Sequence, residues 1–107
     1  MARQHPAEVV GSFLMEALMK SIFTQDSLIL NLIQHFNIIL FPMVNPDGVI
    51  HGNSRCNLAG LDLNRQWDEE HTKEATPETY GLRKYLWKLH ETSGIHMLID
   101  FHGHSKK

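Results

Sequence analysis

Across residues 6–23 the apolar positions Val10, Phe13, Leu14, Ala17, Leu18 and Ile22 recur at steps of three and four. That is the period of an amphipathic helix, with Glu16 and Lys20 forming an i,i+4 ion pair on its opposite face. Asp26 is placed to cap a second, shorter helix carrying Leu28, Ile29, Leu32 and Ile33. Residues 37–44 then form a continuous apolar run with Pro42 near its end, the pattern of a buried strand that stops pairing there.

Asn45-Pro46-Asp47-Gly48 is turn chemistry, with Asn45 and Asp47 expected as turn-builders. It opens a long polar loop reaching Trp67 that lacks a sustained helical period, and long loops in compact domains are more often functional than idle. Thr76-Pro77-Glu78 starts another helix, Tyr80, Leu82, Leu86 and Leu89 supply its apolar face, and Gly94 ends it. Residues 95–101 alternate as a strand that delivers His102 at its carboxyl end. The expected class is therefore α/β, in which ligands gather beyond the carboxyl ends of strands. With no repeats, low-complexity tracts or linkers, residues 1–107 read as one domain.

Composition narrows the function classes. The chain has 107 residues, 42% hydrophobic and 21% charged, an ordinary globular balance with room for a modest core. A formal net charge of −2 and no basic cluster beyond Lys106-Lys107 argue against a nucleic-acid partner. Cys56 is the only cysteine, which removes both an internal disulfide and a cysteine-based zinc site, and agrees with a reducing cytosol. No leader pattern opens the chain and the run at 37–44 is too short to span a bilayer, so a soluble protein without a membrane partner is expected.

The candidate chemistry lies at the two ends. His5-Pro6-Ala7-Glu8 and His102, in Asp100-Phe101-His102-Gly103-His104-Ser105, can supply two imidazoles and a carboxylate to one metal ion, leaving a fourth position open as in a catalytic zinc site. If Pro6 begins a helix, His5 and Glu8 face the same spot at its first turn. Eight histidines make such spacings common by chance, and His-x-x-Glu alone reads equally well as an exposed helix start whose Glu8 complements the dipole. The motifs between the two ends decide against that.

Those motifs are Ala2-Arg3-Gln4-His5-Pro6-x-Glu8, Pro42-Met43-Val44-Asn45-Pro46-Asp47-Gly48, Gly52-Asn53-Ser54-Arg55, Asp62-Leu63-Asn64-Arg65 and Phe101-His102-Gly103-His104-Ser105, in that order. On them the sequence resembles the metallocarboxypeptidases, and more narrowly their cytosolic carboxypeptidase branch. The resemblance covers nearly the whole chain, although the family's catalytic domain is considerably longer, so the first part of that domain is expected. It implies part of an α/β/α sandwich with a mixed sheet, and one zinc ion held by His5, Glu8 and His102.

The resemblance also implies that Asp62 holds a zinc-bound histidine through its other ring nitrogen, that Arg55 polarises the scissile carbonyl, and that Asn64 and Arg65 bind the substrate's terminal carboxylate. His104, two residues beyond His102, faces the same side of an extended chain and is kept as an active-site neighbour. Trp67 and Phe101 are expected to be packing residues. Three positions depart from the family: Ala7 where it usually has Gly, Val9 where it usually has Thr, and no glutamate at the place of its general base, which lies far downstream of the last zinc histidine. The implied function is hydrolysis of carboxyl-terminal residues, glutamates of acidic tails such as those of polyglutamylated tubulin, in the cytoplasm, with the 107-residue chain inactive alone. The competing reading is a non-catalytic module that binds zinc or carboxylates.

Overall fold

The computed structural model describes residues 1–68 and 73–104; Ser105 of the last motif and Lys106-Lys107 lie outside the described residues. Among the described residues four α-helices and a 3-10 turn follow one another: α1 (Val10–Phe23), α2 (Ser27–His35), α3 (Pro46–His51), the turn Leu63–Arg65, and α4 (Pro77–Ser93).

The helix boundaries follow local chemistry. Asp26 caps α2 by accepting the Leu28 N–H at 2.9 Å, as its position predicts. Asn45-Pro46-Asp47-Gly48, expected as a turn, instead starts α3: the Asn45 side chain accepts the Gly48 N–H at 3.0 Å and Pro46 takes the first helical position, where its missing N–H costs nothing. α4 starts at Pro77 and runs to Ser93, with Gly94 as the residue that stops it, as read from the sequence.

The two expected strands are corrected. Among the described residues β-pairing is reduced to one isolated parallel bridge between Ala2 and Phe101. A short belt of backbone bonds surrounds it. The Ala2 N–H donates to the Phe41 carbonyl at 3.0 Å, and the amides of Val44 and Asn45 donate to the carbonyls of Ala2 and Arg3 at 2.9 and 3.0 Å. On the other side the Phe101 N–H donates to the Met1 carbonyl at 2.9 Å and the Met1 amino group to that of Ile99 at 2.6 Å. Residues 1–3 thus lie between 41–45 and 99–101. Pro42 offers no N–H within this belt, and Met97 and Leu98, just before it, are 76% and 54% exposed, so neither apolar run is sandwiched as a strand would need.

Val44, Leu63 and Leu82 form the core, with Met1, Phe41, Trp67 and Leu86 packed around them. Burying Leu63 completely stabilises the chain by about 1.5–3 kcal/mol. α1 turns a different face inward from the one its apolar period marks. Gly11 and Met15 are buried while Phe13, Leu14 and Phe23 are exposed. Gly11 explains this, because a Cβ there would stand 2.9 Å from the Phe101 carbonyl oxygen, so glycine lets α1 approach the belt. The Glu16–Lys20 pair forms at 2.6 Å on the solvent side.

Two glycine substitutions test this packing. Gly11→Ala drives a methyl group into a backbone oxygen and lowers unfolding stability by about 1 kcal/mol or more despite alanine's better helix propensity. Gly81→Ala in α4, where a Cβ meets nothing within 4 Å, raises it by about 0.5–1 kcal/mol. Urea unfolding midpoints of the two variants read both signs.

Candidate metal centre

The belt determines where the amino-terminal motif goes. After Ala2, Arg3 adopts a left-handed backbone with φ 59°, a conformation unfavourable for a residue with a Cβ, and its guanidinium donates to Ser12 Oγ of α1 at 2.8 Å. The chain then turns tightly at Pro6, the Glu8 N–H reaching the His5 carbonyl at 3.2 Å, and the Ala7 N–H fastens this turn to the Ser54 carbonyl at 3.1 Å. His5 and Glu8 therefore precede α1, which begins at Val10 rather than at Pro6. A residue before proline is kept out of the helical region, while proline suits the second position of a turn, so the i,i+3 pair still faces one side.

His102 follows the belt's other edge and meets them. The Nδ1 atoms of His5 and His102 stand 2.8 and 2.9 Å from Glu8 Oε1 and Oε2. The Gly103 N–H donates to Glu8 Oε2 at 2.7 Å. His5 is buried, Glu8 and His102 partly so, and the two rings lie 5.0 Å apart. Ligand atoms of the three residues all lie within 4.8 Å of one another, close enough for one ion.

Each imidazole is flanked by two carboxylates. His5 Nε2 lies 2.8 Å from Asp62 Oδ1, and His102 Nε2 lies 2.6 Å from Asp100 Oδ2. A neutral imidazole has a single N–H. If that proton is on Nε2 and given to the aspartate, both Nδ1 lone pairs point at the Glu8 oxygens, an arrangement that a shared cation resolves. Two neutral nitrogens and one carboxylate, with the far ring nitrogens tied to acids, is a donor set that suits zinc.

The acids are poised as anions. Burial alone would raise the Glu8 pKa, but the Gly103 N–H and the His5 and His102 imidazoles outweigh it and hold the carboxyl below its usual value. Asp62 behaves alike: burial acts upward, and His5, the Asn64 N–H and Arg55 together bring it below its usual value.

The other sequence-derived candidates separate. Arg55 lines the cleft in front of the three ligands and pairs with Asp62 through Nε at 2.7 Å. Asn64 and Arg65 sit in the 3-10 turn that Asp62 caps and are not among the residues lining the cleft, and Arg65 Nη1 donates to the Asn64 carbonyl at 3.2 Å. His104 lines the cleft without joining the ion group. Ala7 and Val9, the two departures beside the ligands, are both exposed there. Trp67 packs on the core and donates its indole N–H to Gln4 Oε1 at 2.9 Å. Gln4 and Asp100 were legible only as motif positions; the signal for Asp100 was its i,i+2 relation to His102, which puts both on one side of an extended chain.

The family is established by comparison. Residues 1–106 match the zinc carboxypeptidase family, and the chain belongs to it. Within that family it is similar to the cytosolic carboxypeptidases: 40% identical to mouse cytosolic carboxypeptidase 4 over 108 residues, covering 99% of this chain and 9% of that protein. Identity to human cytosolic carboxypeptidase 2 is 42% over 108 residues, covering 99% of this chain and 12% of that one. Among solved structures, a Shewanella denitrificans OS-217 protein assigned as a carboxypeptidase A superposes with a TM-score of 0.85 at 36% identity, over 96% of this chain and 26% of that one. The chain thus spans about a tenth of the length of these curated relatives and corresponds to part of a catalytic domain.

Depressed carboxylates stabilise the fold above their unfolded pKa, and that contribution disappears as pH falls through the folded value. Metal-free protein should accordingly lose stability as pH drops from neutral through and below the usual carboxylate range. Glu8→Gln, which removes one of the two contributions, should make the decline shallower, as read from urea midpoints across a pH series.

Proposed function

We propose that this chain carries the metal-binding part of a zinc-dependent carboxypeptidase that removes carboxyl-terminal glutamates from acidic protein tails such as those of polyglutamylated tubulin. The observation that carries the reading is the convergence of His5 Nδ1, His102 Nδ1 and the Glu8 carboxylate on one point, in a chain of the zinc carboxypeptidase family. Zinc held there polarises a scissile carbonyl and lowers the pKa of its water.

His5 and His102 supply neutral nitrogens, and Asp62 fixes the orientation of the His5 ring. Arg55, on the cleft wall, keeps guanidinium N–H groups beyond the one given to Asp62, and their role is to stabilise the oxygen that gains charge as the carbonyl is attacked. Arg65, with Asn64, takes the terminal carboxylate of the substrate, a role that suits a planar two-pronged donor and requires the exposed side chain to swing toward the cleft. The general base is the glutamate that the resemblance assigns downstream of His102, so the 107 residues are expected to bind zinc without hydrolysing peptide. The relatives are named cytosolic, and we assign this protein to the same compartment. No helix among the described residues is long and apolar enough to cross a membrane.

A non-catalytic module that binds carboxylate tails is the second reading, favoured by Glu8 being the one acid among the described residues that line the cleft.

Zinc titration of the metal-free chain should give one ion per chain, and His5→Ala or His102→Ala should weaken binding by more than about a hundredfold, beyond what loss of an outer contact costs. Absence of stoichiometric zinc in the parent chain refutes the ligand assignment. A longer form carrying the downstream segment should cleave a glutamate-tailed peptide with a free carboxyl end, and Arg65→Lys in it should reduce kcat/KM by about tenfold or more. Saturable binding without turnover in that longer form selects the module.

A further inference from the structure

Asp100 touches His102 much as Asp62 touches His5, yet its surroundings differ. Asp62 is braced by the exposed Arg55 and by the Asn64 N–H. Asp100 receives no arginine: its Oδ2 accepts from both His102 Nε2 and the side-chain amide of Gln4, while Oδ1 is buried without a hydrogen-bond partner among the described residues. Gln4 is 1% exposed and is itself held in one orientation by the Trp67 indole N–H at its Oε1. The Met1 ammonium feels the charge of Asp100 but donates to the Ile99 carbonyl. Buried carboxylate oxygens are rarely left unpaired, so this one calls for an explanation beyond packing.

We infer that Asp100 is a positioning residue for the metal centre, held by the chain of contacts Trp67–Gln4–Asp100 and fixing His102 with its proton on Nε2 and its Nδ1 lone pair aimed at the ion. Glu8 Oε2, which already takes the Gly103 N–H, stands 2.9 Å from Nδ1 and competes for the His102 proton, and the shorter 2.6 Å contact to the Asp100 carboxylate favours the N–H on that side. Trp67 in turn can only donate, so Gln4 must offer its oxygen to the indole and its NH2 to Asp100, which excludes the flipped amide. A carboxylate shared with a neutral amide also leaves more electron density on His102 than one shared with a guanidinium, making it the stronger donor of the two rings. The inference rests on the metal-centre reading above and adds to it a residue set, Asp100, Gln4 and Trp67, with a defined tautomer as its consequence.

The test uses the full chain and zinc alone. In metal-free wild-type protein, side-chain 15N spectra should show His102 protonated on Nε2 and bare on Nδ1. Asp100→Asn, whose amide can donate to Nε2, should move the proton to Nδ1 and weaken zinc binding by about ten- to a hundredfold while circular dichroism stays unchanged. Gln4→Met, which keeps Asp100 but removes its neutral brace, should weaken zinc by less than Asp100→Asn does and provides a second reading if the aspartate variant fails to fold. A wild-type His102 carrying its proton on Nδ1, or an Asp100→Asn protein that keeps both the tautomer and the zinc affinity, overturns the inference. Wild-type protein that shows the Nε2–H tautomer but takes up no zinc would instead overturn the metal-centre reading while retaining the Asp100 contact.

Discussion

The site depends on residues 1–3 being hydrogen-bonded on both sides at once. Their amides and carbonyls meet residues 41–45 on one flank and 99–101 on the other, and this is what brings positions nearly a hundred residues apart in sequence into contact. Closing such a loop costs conformational entropy that the few belt bonds offset only with help from the buried Val44–Leu63–Leu82 cluster alongside. Glu8 completes the closure, because one carboxylate spans both histidines and the Gly103 amide. Fold and site are consequently one cooperative unit: the contacts that orient the ligands are among those that join the two ends of the chain.

Much of the site was legible in the sequence, and the reason is chemical. His5, Glu8, Asp62 and His102 sit in short ordered motifs whose residue types have few structural substitutes, so the family resemblance singled out residues that the structure brings together. Helix starts at Asp26 and Pro77 and the stop at Gly94 were legible because capping is a local matter. What periodicity could not give is what covers an apolar face. Phe13 and Leu14 belong to the apolar stripe of α1 yet are exposed, while Gly11, which carries no hydropathy signal, sets the contact. The runs at 37–44 and 95–101 have strand composition, but a sheet is a property of neighbours, and within the described residues the belt is all the pairing they receive. Asn45-Pro46-Asp47-Gly48 illustrates a further ambiguity, since the residues that favour a turn are also those that favour the first turn of a helix.

The electrostatics around the ligands run in one direction. Glu8 and Asp62 are held as anions by amides, imidazoles and a guanidinium, so the centre is prepared for positive charge before any arrives. The cationic groups nearest to substrate roles are arranged differently. Arg55 is fastened to Asp62 whereas Arg65 is exposed on a 3-10 turn, so the first is oriented by the metal centre and the second is left adjustable. Under the function proposed above, the arginine tied to Asp62 would serve the reacting bond and the exposed one the substrate's tail.

Trp67 has a use outside the chemistry. The chain has two tryptophans; Trp87 is 65% exposed, whereas Trp67 is partly buried with its indole nitrogen bound to Gln4, two contacts away from His102. Emission from the shielded indole is therefore expected at shorter wavelength than that of its solvent-facing counterpart. Replacing Trp87 with phenylalanine would leave a single tryptophan, joined through Gln4 and Asp100 to the candidate ligand His102, whose emission would report on an ion bound there without an attached dye.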